Sequence, residues 1–471
     1  MYPEWVIKHK QKGTNISCIK GRYYLYAVSS VWNKEKKRAQ KITKEYLGRI
    51  TEEGLIPPKA KSFKIEEPIT AKTYGATQVL SELGSGILNE LRNVFGNDHG
   101  ASIFTIAALR VIENCPFKRV EHLYDNSFFS EMFKGLKLSG KNLSEFLKSF
   151  GGNREKIVEF MKRFIGGNEH ILFDGTGIIS QSEKMNINRK GYNAHRDYDP
   201  QVNLLYAFGC ENKMPGYYRI IPGNIRDMSA FKLAIAESGL CNVVVVADKA
   251  FGSDDNFKML DDAKIKYIVP LKRNSSLFNA DKLKTGNKVN FDGYFMFNER
   301  PIWYYKTGEV ITFVDNDLKN EEEKRYLKNI ENKAEGYTMD GFIENQYKFG
   351  SIVLKTNVAK SAKEVYFLYK ERAEIEQSFD FLKNLLEQDK SYMQNEKSLE
   401  TWAFINHISL MLNYKIYNLL REKNMLSKFS VSDFLSHLKY IFKVKINGSW
   451  IITEYTKKTK NFLDQLGLHI T

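Results

Sequence analysis

A chain of 471 residues with 42% hydrophobic and 13% aromatic content holds enough apolar material for two or three domains and a sizeable core, which excludes wholesale disorder. Its 71 basic residues against 56 acidic ones leave a formal net charge of +15, pointing to a polyanionic partner, although the richness in Lys, Asn, Ile, Phe and Tyr is also what an AT-rich coding sequence would produce. Cys18, Cys115, Cys210 and Cys241 are scattered without a C-x-x-C pair, and no stretch has the length of a membrane span or the pattern of a signal peptide, so neither a zinc module nor a disulfide framework is indicated and a reducing cytoplasm is expected.

Residues 1–62 read as a small basic N-terminal module. Arg22 to Trp32 has the aromatic and β-branched content of a strand, and Lys34, Lys36, Lys37, Arg38, Lys41 and Lys44 crowd together after it. A solvated charged face and a module whose cations contact phosphates both fit that crowding. Pro57 and Pro58 mark a linker. Across 66–166 the pattern is helical, with i, i+3, i+4 apolar spacing in Thr77 to Phe95 and in Ala101 to Cys115, which Pro116 ends. The runs Leu138 to Phe150 and Arg154 to Ile165 flank a Gly-Gly-Asn turn. They make a pair of helix-turn-helix size with Lys148, Arg154, Lys156, Lys162 and Arg163 expected at the surface; bundle packing and DNA reading are both open to it.

At Ile171 the period changes from helical to extended. ILFDGTGIIS, NLLYAFGCE, YYRIIPG, VVVVAD and KYIVPLK read as strands, with helices near 230–238 and 254–263, which gives a mixed α/β sheet over 168–272 completed by 349–423. The order of these elements resembles an RNase H-like core. Residues 273–348 separate its halves and read as a β-rich insertion with one charged helix or loop. The run Thr401 to Leu420 is apolar on most sides and reads as a buried helix with His407 as a core histidine. Residues 424–471 form a C-terminal tail, with an Asn447-Gly448 hairpin signal between two helices.

The stretch Tyr369 to Lys383 carries a chemical face. At about 100° per residue, with Arg372 at zero, Glu376 falls near ~40°, Lys383 near ~20° and Tyr369 near ~60° on a helical wheel, while Ile375, Phe379 and Leu382 gather on another side. Two more carboxylates, Asp174 and Asp248, sit in or at the end of apolar strand runs. Carboxylates on core strands are costly unless a cation compensates them, and a divalent metal is the usual compensation for several at once.

The spacing Y-(2)-R-(3)-E-(6)-K, preceded by two strand-borne aspartates, resembles the DDE transposases of bacterial insertion sequences. It is most similar to the insertion sequence four branch with a Tyr-Arg-Glu-Lys signature. PGNIRD at Pro222 to Asp227, ADKAFGS at Ala247 to Ser253, IEQSF at Ile375 to Phe379 and His407 extend the likeness over 170–410. The resemblance implies a catalytic and metal-binding triad of Asp174, Asp248 and Glu376 holding two Mg²⁺ or Mn²⁺ ions, with Tyr369, Arg372 and Lys383 on DNA. It also implies double-stranded DNA partners, both the element's terminal inverted repeats and target DNA, a homodimer on paired ends, and a nucleoid-associated place in the cytoplasm. Some relatives flip a base onto an aromatic ring, for which Trp303 is a candidate. A non-catalytic DNA-binding descendant and an RNase H-like nuclease without strand transfer are the alternatives.

Overall fold

The protein divides into two compact units, residues 1–69 with 446–449 and residues 70–445 with 450–471. The structure, a computed structural model, describes residues 2–33, 37–58, 68–165, 171–180, 182–192, 198–210, 212–224, 228–239, 243–246, 252–373, 376, 380–381 and 390–471.

In the first unit a short helix α1 (Glu4–Ile7) packs on an antiparallel meander of β1 (Thr14–Ile19), β2 (Arg22–Asn33), β3 (Arg38–Thr51) and β4 (Gly54–Ile56), hydrogen-bonded in that order. Its core is small: Val6, Ile16, Leu25 and Ile50, with Trp5, Tyr23 and Leu47 at the margin. Gly48 is required where β3 turns under β4, because a Cβ there would lie 2.4 Å from the Ile56 carbonyl oxygen.

The second unit is organised around a helix that is buried on nearly every side. After β5 (Thr70–Thr73) come α2 (Gly75–Leu83), α3 (Ser85–Phe95), α4 (Asn97–Glu113), α5 (Gly140–Phe150) and α6 (Arg154–Lys162). All contribute to one continuous core, α4 being buried on every side from Ile103 to Val111, and α4 and α5 lie directly on the 27-residue helix Glu396–Glu422, whose apolar length made its burial legible. The helical region expected at 66–166 therefore shares its core with a helix some 250 positions further on, as when Thr401 donates to the Leu147 carbonyl across 254 positions.

The strands expected from Ile171 onward are present. β6 (Ile171–Ser180) pairs antiparallel with β8 (Tyr198–Gly209), which also carries β7 (Arg189–Tyr192) and β9 (Met214–Pro222). Helix α7 (Met228–Ser238) leads to β10 (Val244–Val246), which lies against β6, and α8 (Asp254–Asp262) leads to β11 (Lys266–Pro270), parallel to β10. Residues 273–348 supply β12 (Gly293–Phe297), β13 (Arg300–Thr307), β14 (Val310–Asp315) and helix α9 (Asn316–Glu331). These strands do not stand apart from the main sheet. β15 (Ser351–Thr356) bonds to β14 on one edge and β11 on the other, giving the continuous order β10-β11-β15-β14-β13-β12. Helix α10 (Ala362–Lys370) follows, then β16 (Lys390–Ser391), parallel to the end of β6, and the buried helix, α11 (Glu396–Glu422). The tail adds α12 (Val431–Leu438), the hairpin β17 (Phe442–Ile446) and β18 (Ser449–Ile452), and α13 (Lys457–Leu466). Among the described residues Cys18, Cys115 and Cys210 form no disulfide, and no helix is long and apolar enough to cross a membrane.

One residue departs from its expected place. Arg154 does not face solvent with the other cations of the helix pair; it bonds Glu237 of α7 (2.7 Å), Glu400 of α11 (2.8 Å) and the Tyr218 carbonyl of β9 (2.8 Å). A single guanidinium thus ties three elements together. Burial opposes its charge, but Glu400 and Glu237 outweigh that and hold Arg154 firmly protonated. Beside it, burial raises the Glu237 carboxyl while hydrogen bonds from Arg154 and Tyr217 lower it further, for a net depression.

Removing Arg154 would take the cation from Glu400, which keeps the Tyr218 hydroxyl (2.7 Å), and leave Glu237 to Arg219 (3.0 Å) and Tyr217. Arg154→Met is expected to reduce unfolding free energy by about 2–3 kcal/mol, read as a lower urea midpoint with unchanged slope. Because the folded-state pKa of Glu237 lies below its unfolded value, its stabilisation is full above the ordinary carboxylate pKa of about 4.3 and is lost as pH falls through the folded value. Stability profiles between pH 6 and 3 should accordingly show a shallower acid limb in Glu237→Gln.

Candidate active site

Asp174 is the fourth residue of β6, after Ile171, Leu172 and Phe173, none more than 1% exposed. The strand surfaces at Gly175, so Asp174, 7% exposed, marks the boundary between core and surface. Each of its oxygens has a donor: the Gly175 N–H points to Oδ1 (2.8 Å), and the Arg372 Nη2 to Oδ2 (3.3 Å). The same guanidinium nitrogen lies 3.6 Å from Glu376 Oε1. Two of the three carboxylates singled out in the sequence, 202 positions apart by their numbers, therefore meet across one cation. The two differ in setting. Asp174 has a side chain 9% exposed, whereas that of Glu376 is 60% exposed.

Asp248 and Lys383 lie outside the described residues, as do most of the ADKAFGS and IEQSF runs and the last three residues of PGNIRD. β10, fully buried, ends two residues before Asp248 and lies against β6, the strand of Asp174. Among the described residues no group of three or more His, Cys, Asp and Glu is placed to hold a metal. Hard carboxylate oxygens converging on a positive group are the donor set that Mg²⁺ and Mn²⁺ prefer, and Asp174 and Glu376, already drawn to one guanidinium, fit such ions.

Tyr369 stands in α10, partly buried against the main core. The continuous helical wheel from Tyr369 to Lys383 is interrupted, because α10 ends at Lys370, Glu371 is a turn, and helical conformation resumes at Arg372. Glu371 is held there by Lys213 (2.9 Å), whose own carbonyl accepts from Asn418 of α11 (3.2 Å). Neither contact could be read from the sequence, since the partners are 158 and 205 positions apart. Both fix the turn immediately before Arg372. From the other side, strands β12–β14 brace α10: Tyr366 packs on Phe313 and Phe295 at ring distances of 4.9 and 5.3 Å, and Phe367 on Phe297 at 5.2 Å. Ser361 caps the start of α10 in a capping box with Glu364, whose carboxyl the Ser361 hydroxyl and backbone N–H hold down at about 2.

Two aromatic and histidine positions resolve differently. His407 is 1% exposed in α11 and bonds the hydroxyl of Tyr206, the residue opposite Asp174 on β8. Burial, with the Arg154 charge a lesser cause, pushes its imidazole down to about 3, so it is neutral and structural. Trp303 of β13 is half-buried, with its ring 5.0 Å from that of Tyr294 and under the Lys288 ammonium at 5.1 Å.

A mixed sheet that carries a surface-edge carboxylate bridged by an arginine to a second carboxylate from a helical segment defines an α/β protein with an acidic site fit for hard cations. The family model for the transposase DDE domain matches residues 165–412, more than half of the chain and the whole span from β6 through β16 into α11; the chain belongs to that family and is a DDE transposase. Among solved structures, the piggyBac transposase synaptic complex with hairpin DNA is similar at 10% identity and a TM-score of 0.39, over 79% of this chain and 82% of that one. The Drosophila P element transposase strand transfer complex is similar at 12% identity and a TM-score of 0.23, over 76% and 90%. No curated protein matches the chain.

The two ion pairs of Arg372 should differ in strength. Double-mutant cycles on unfolding free energy are expected to couple Arg372→Ala with Asp174→Ala by more than about 1 kcal/mol, because that pair is largely desolvated. For Arg372→Ala with Glu376→Ala the coupling should stay below about 0.5 kcal/mol, as for an exposed i,i+4 pair.

Proposed function

We propose that this transposase cuts DNA at the ends of a mobile element and joins those ends to target DNA, with Asp174, Asp248 and Glu376 as the catalytic acids of an RNase H-like core. The observation that carries the reading is the Arg372 guanidinium contacting the Asp174 and Glu376 carboxylates together. Support for the fold comes from β6, β8 and β9 running antiparallel with β10 laid beside β6, and membership of the DDE family supports the chemistry.

When bound by Asp174, Asp248 and Glu376, a pair of Mg²⁺ or Mn²⁺ ions supplies Lewis-acid charge relief at the attacking and departing oxygens of an in-line phosphoryl substitution. The protein's own groups do the rest. The Gly175 N–H fixes the rotation of the Asp174 carboxylate. Arg372, with its planar fork, exchanges carboxylate partners for phosphate oxygens when DNA arrives, and Lys383 adds a point charge nearby. Tyr369 donates to a phosphate or stacks on a base. In the first step a water oxygen bonds to phosphorus as the P–O3′ bond breaks, leaving a 3′-hydroxyl and a 5′-phosphate. In the second, that 3′-hydroxyl attacks a target phosphodiester and displaces its 3′-oxygen. Two ends must be cut and joined in concert, which calls for a homodimer acting in the cytoplasm on nucleoid DNA.

The test uses a supercoiled plasmid bearing the gene with its natural flanks, incubated with Mg²⁺. Asp174→Asn, Asp248→Asn and Glu376→Gln are each expected to slow strand cleavage by at least about 100-fold. Wild-type rates in any one of them would remove that residue from the catalytic set.

A further inference from the structure

The first unit contains a feature that its own core does not explain. β1 pairs with β2 only as far as Ala27, and β4 covers β3 only from Arg49. Val28–Asn33 and Arg38–Thr43 continue beyond as a two-stranded ribbon; past the Val28 N–H, which still bonds the Gly13 carbonyl (2.8 Å), no strand among the described residues pairs with either outer edge. Every residue of β3 from Arg38 to Glu45 is exposed. Apolar side chains are exposed with them: Trp32 at 63%, Val31 at 50% and Ile42 at 46%. Over 37–45 the four cations Lys37, Arg38, Lys41 and Lys44 outnumber the one acid, Glu45.

An isolated two-stranded hairpin is marginal in water, and exposed apolar side chains interleaved with cations add nothing to its stability there. The pattern suits a polyanion with apolar base edges. B-DNA's major groove is about 12 Å wide and admits a two-stranded ribbon. The ribbon is also shaped for it. Register shifts between Leu25 and Tyr26 and between Ala27 and Val28 fall where it leaves the sheet, and such bulges raise right-handed twist. At this base the Tyr46 ring packs on those of Tyr26 (5.4 Å) and Tyr24 (6.0 Å), which stiffens the exit. Cross-strand pairing puts Ser30, Trp32, Ala39, Lys41 and Thr43 on one face.

We propose that the ribbon Val28–Asn33/Arg38–Thr43 is a DNA-reading arm that enters the major groove of duplex DNA, with Lys37, Arg38 and Lys44 on phosphates and the face of Trp32 and Lys41 toward base edges. The proposal rests on the transposase reading and deepens it: the arm supplies sequence preference to chemistry performed on the other unit. Lysine reads guanine acceptors, and the indole and threonine methyl meet thymine methyls.

The experiment uses the full chain and a fluorescein-labelled 30-base-pair duplex. In Lys37→Ala/Arg38→Ala/Lys44→Ala the slope of log affinity against log salt is expected to shrink by about 3, with affinity roughly 100-fold weaker. Trp32→Ala should keep the slope but lose the preference that wild type shows when selecting from a randomised duplex pool. Methyl green, a major-groove ligand, should compete with the protein, and distamycin, a minor-groove ligand, should not. Unchanged affinity and slope in the triple variant, or competition by distamycin alone, overturns the arm. All four substituted positions are exposed and outside the Val6, Ile16, Leu25 and Ile50 core, so circular dichroism should match wild type. Failure of the arm leaves the catalytic acids untouched, since their test reads cleavage of plasmid at saturating protein; cleavage surviving Asp174→Asn would sink the catalytic reading and leave the arm standing.

Discussion

A carboxylate that ends a run of fully buried strand residues has to be compensated, and in this protein the compensation comes from an arginine nearly 200 positions away. Asp174 on β6 and Arg372 after α10 are therefore more than neighbours: the cost of burying one fixes where the other must be. Much of the second unit can be understood as what holds that meeting in place. Lys213 and Asn418 fix the turn at Glu371, and the aromatic rings of β12–β14 brace α10 from the opposite side. The site is thus set on regular elements, with only one short turn between α10 and the arginine.

A second ionic centre stabilises the scaffold itself. Arg154 draws α6, α7, β9 and α11 together, and its two carboxylates keep it charged in spite of burial. The neutral pair of Tyr206 and His407 lies behind β8, opposite Asp174.

The sequence made elements legible wherever a local period reports burial. Apolar runs of five to ten residues marked β6, β8, β9, β10 and β11, and the all-round apolar length of 401–420 marked α11. Asp174 stood out because a carboxylate in an apolar strand run needs compensation, and Glu376 because it shares a helical face with Arg372, Lys383 and Tyr369; its i,i+4 spacing from Arg372 alone would fit an ordinary surface pair. What the sequence could not show was pairing across distance. Residues 273–348 read as strands with a charged helix or loop, and the structure has strands and the helix α9 there, yet nothing in their alternation says that β14 bonds β15 and so joins β11. Arg154 looked like one more surface cation because its partners are 83 and 246 positions away. The turn at Glu371 was invisible for the same reason: the helical period runs straight through it, and only Lys213 marks the spot.

The continuity of β10-β11-β15-β14-β13-β12 has a bearing on how such chains can diverge. A segment that formed its own sheet could be swapped between relatives like a cassette, with only its two ends to match. Here β14 is stitched along its length to β15, and β12 and β14 present the rings on which α10 rests. Exchange of that segment would have to preserve a hydrogen-bond register and an aromatic footprint at once. Even α9 is bound in, since its Glu322 accepts from the Gly350 N–H (2.8 Å) and pairs with Arg273 (2.9 Å).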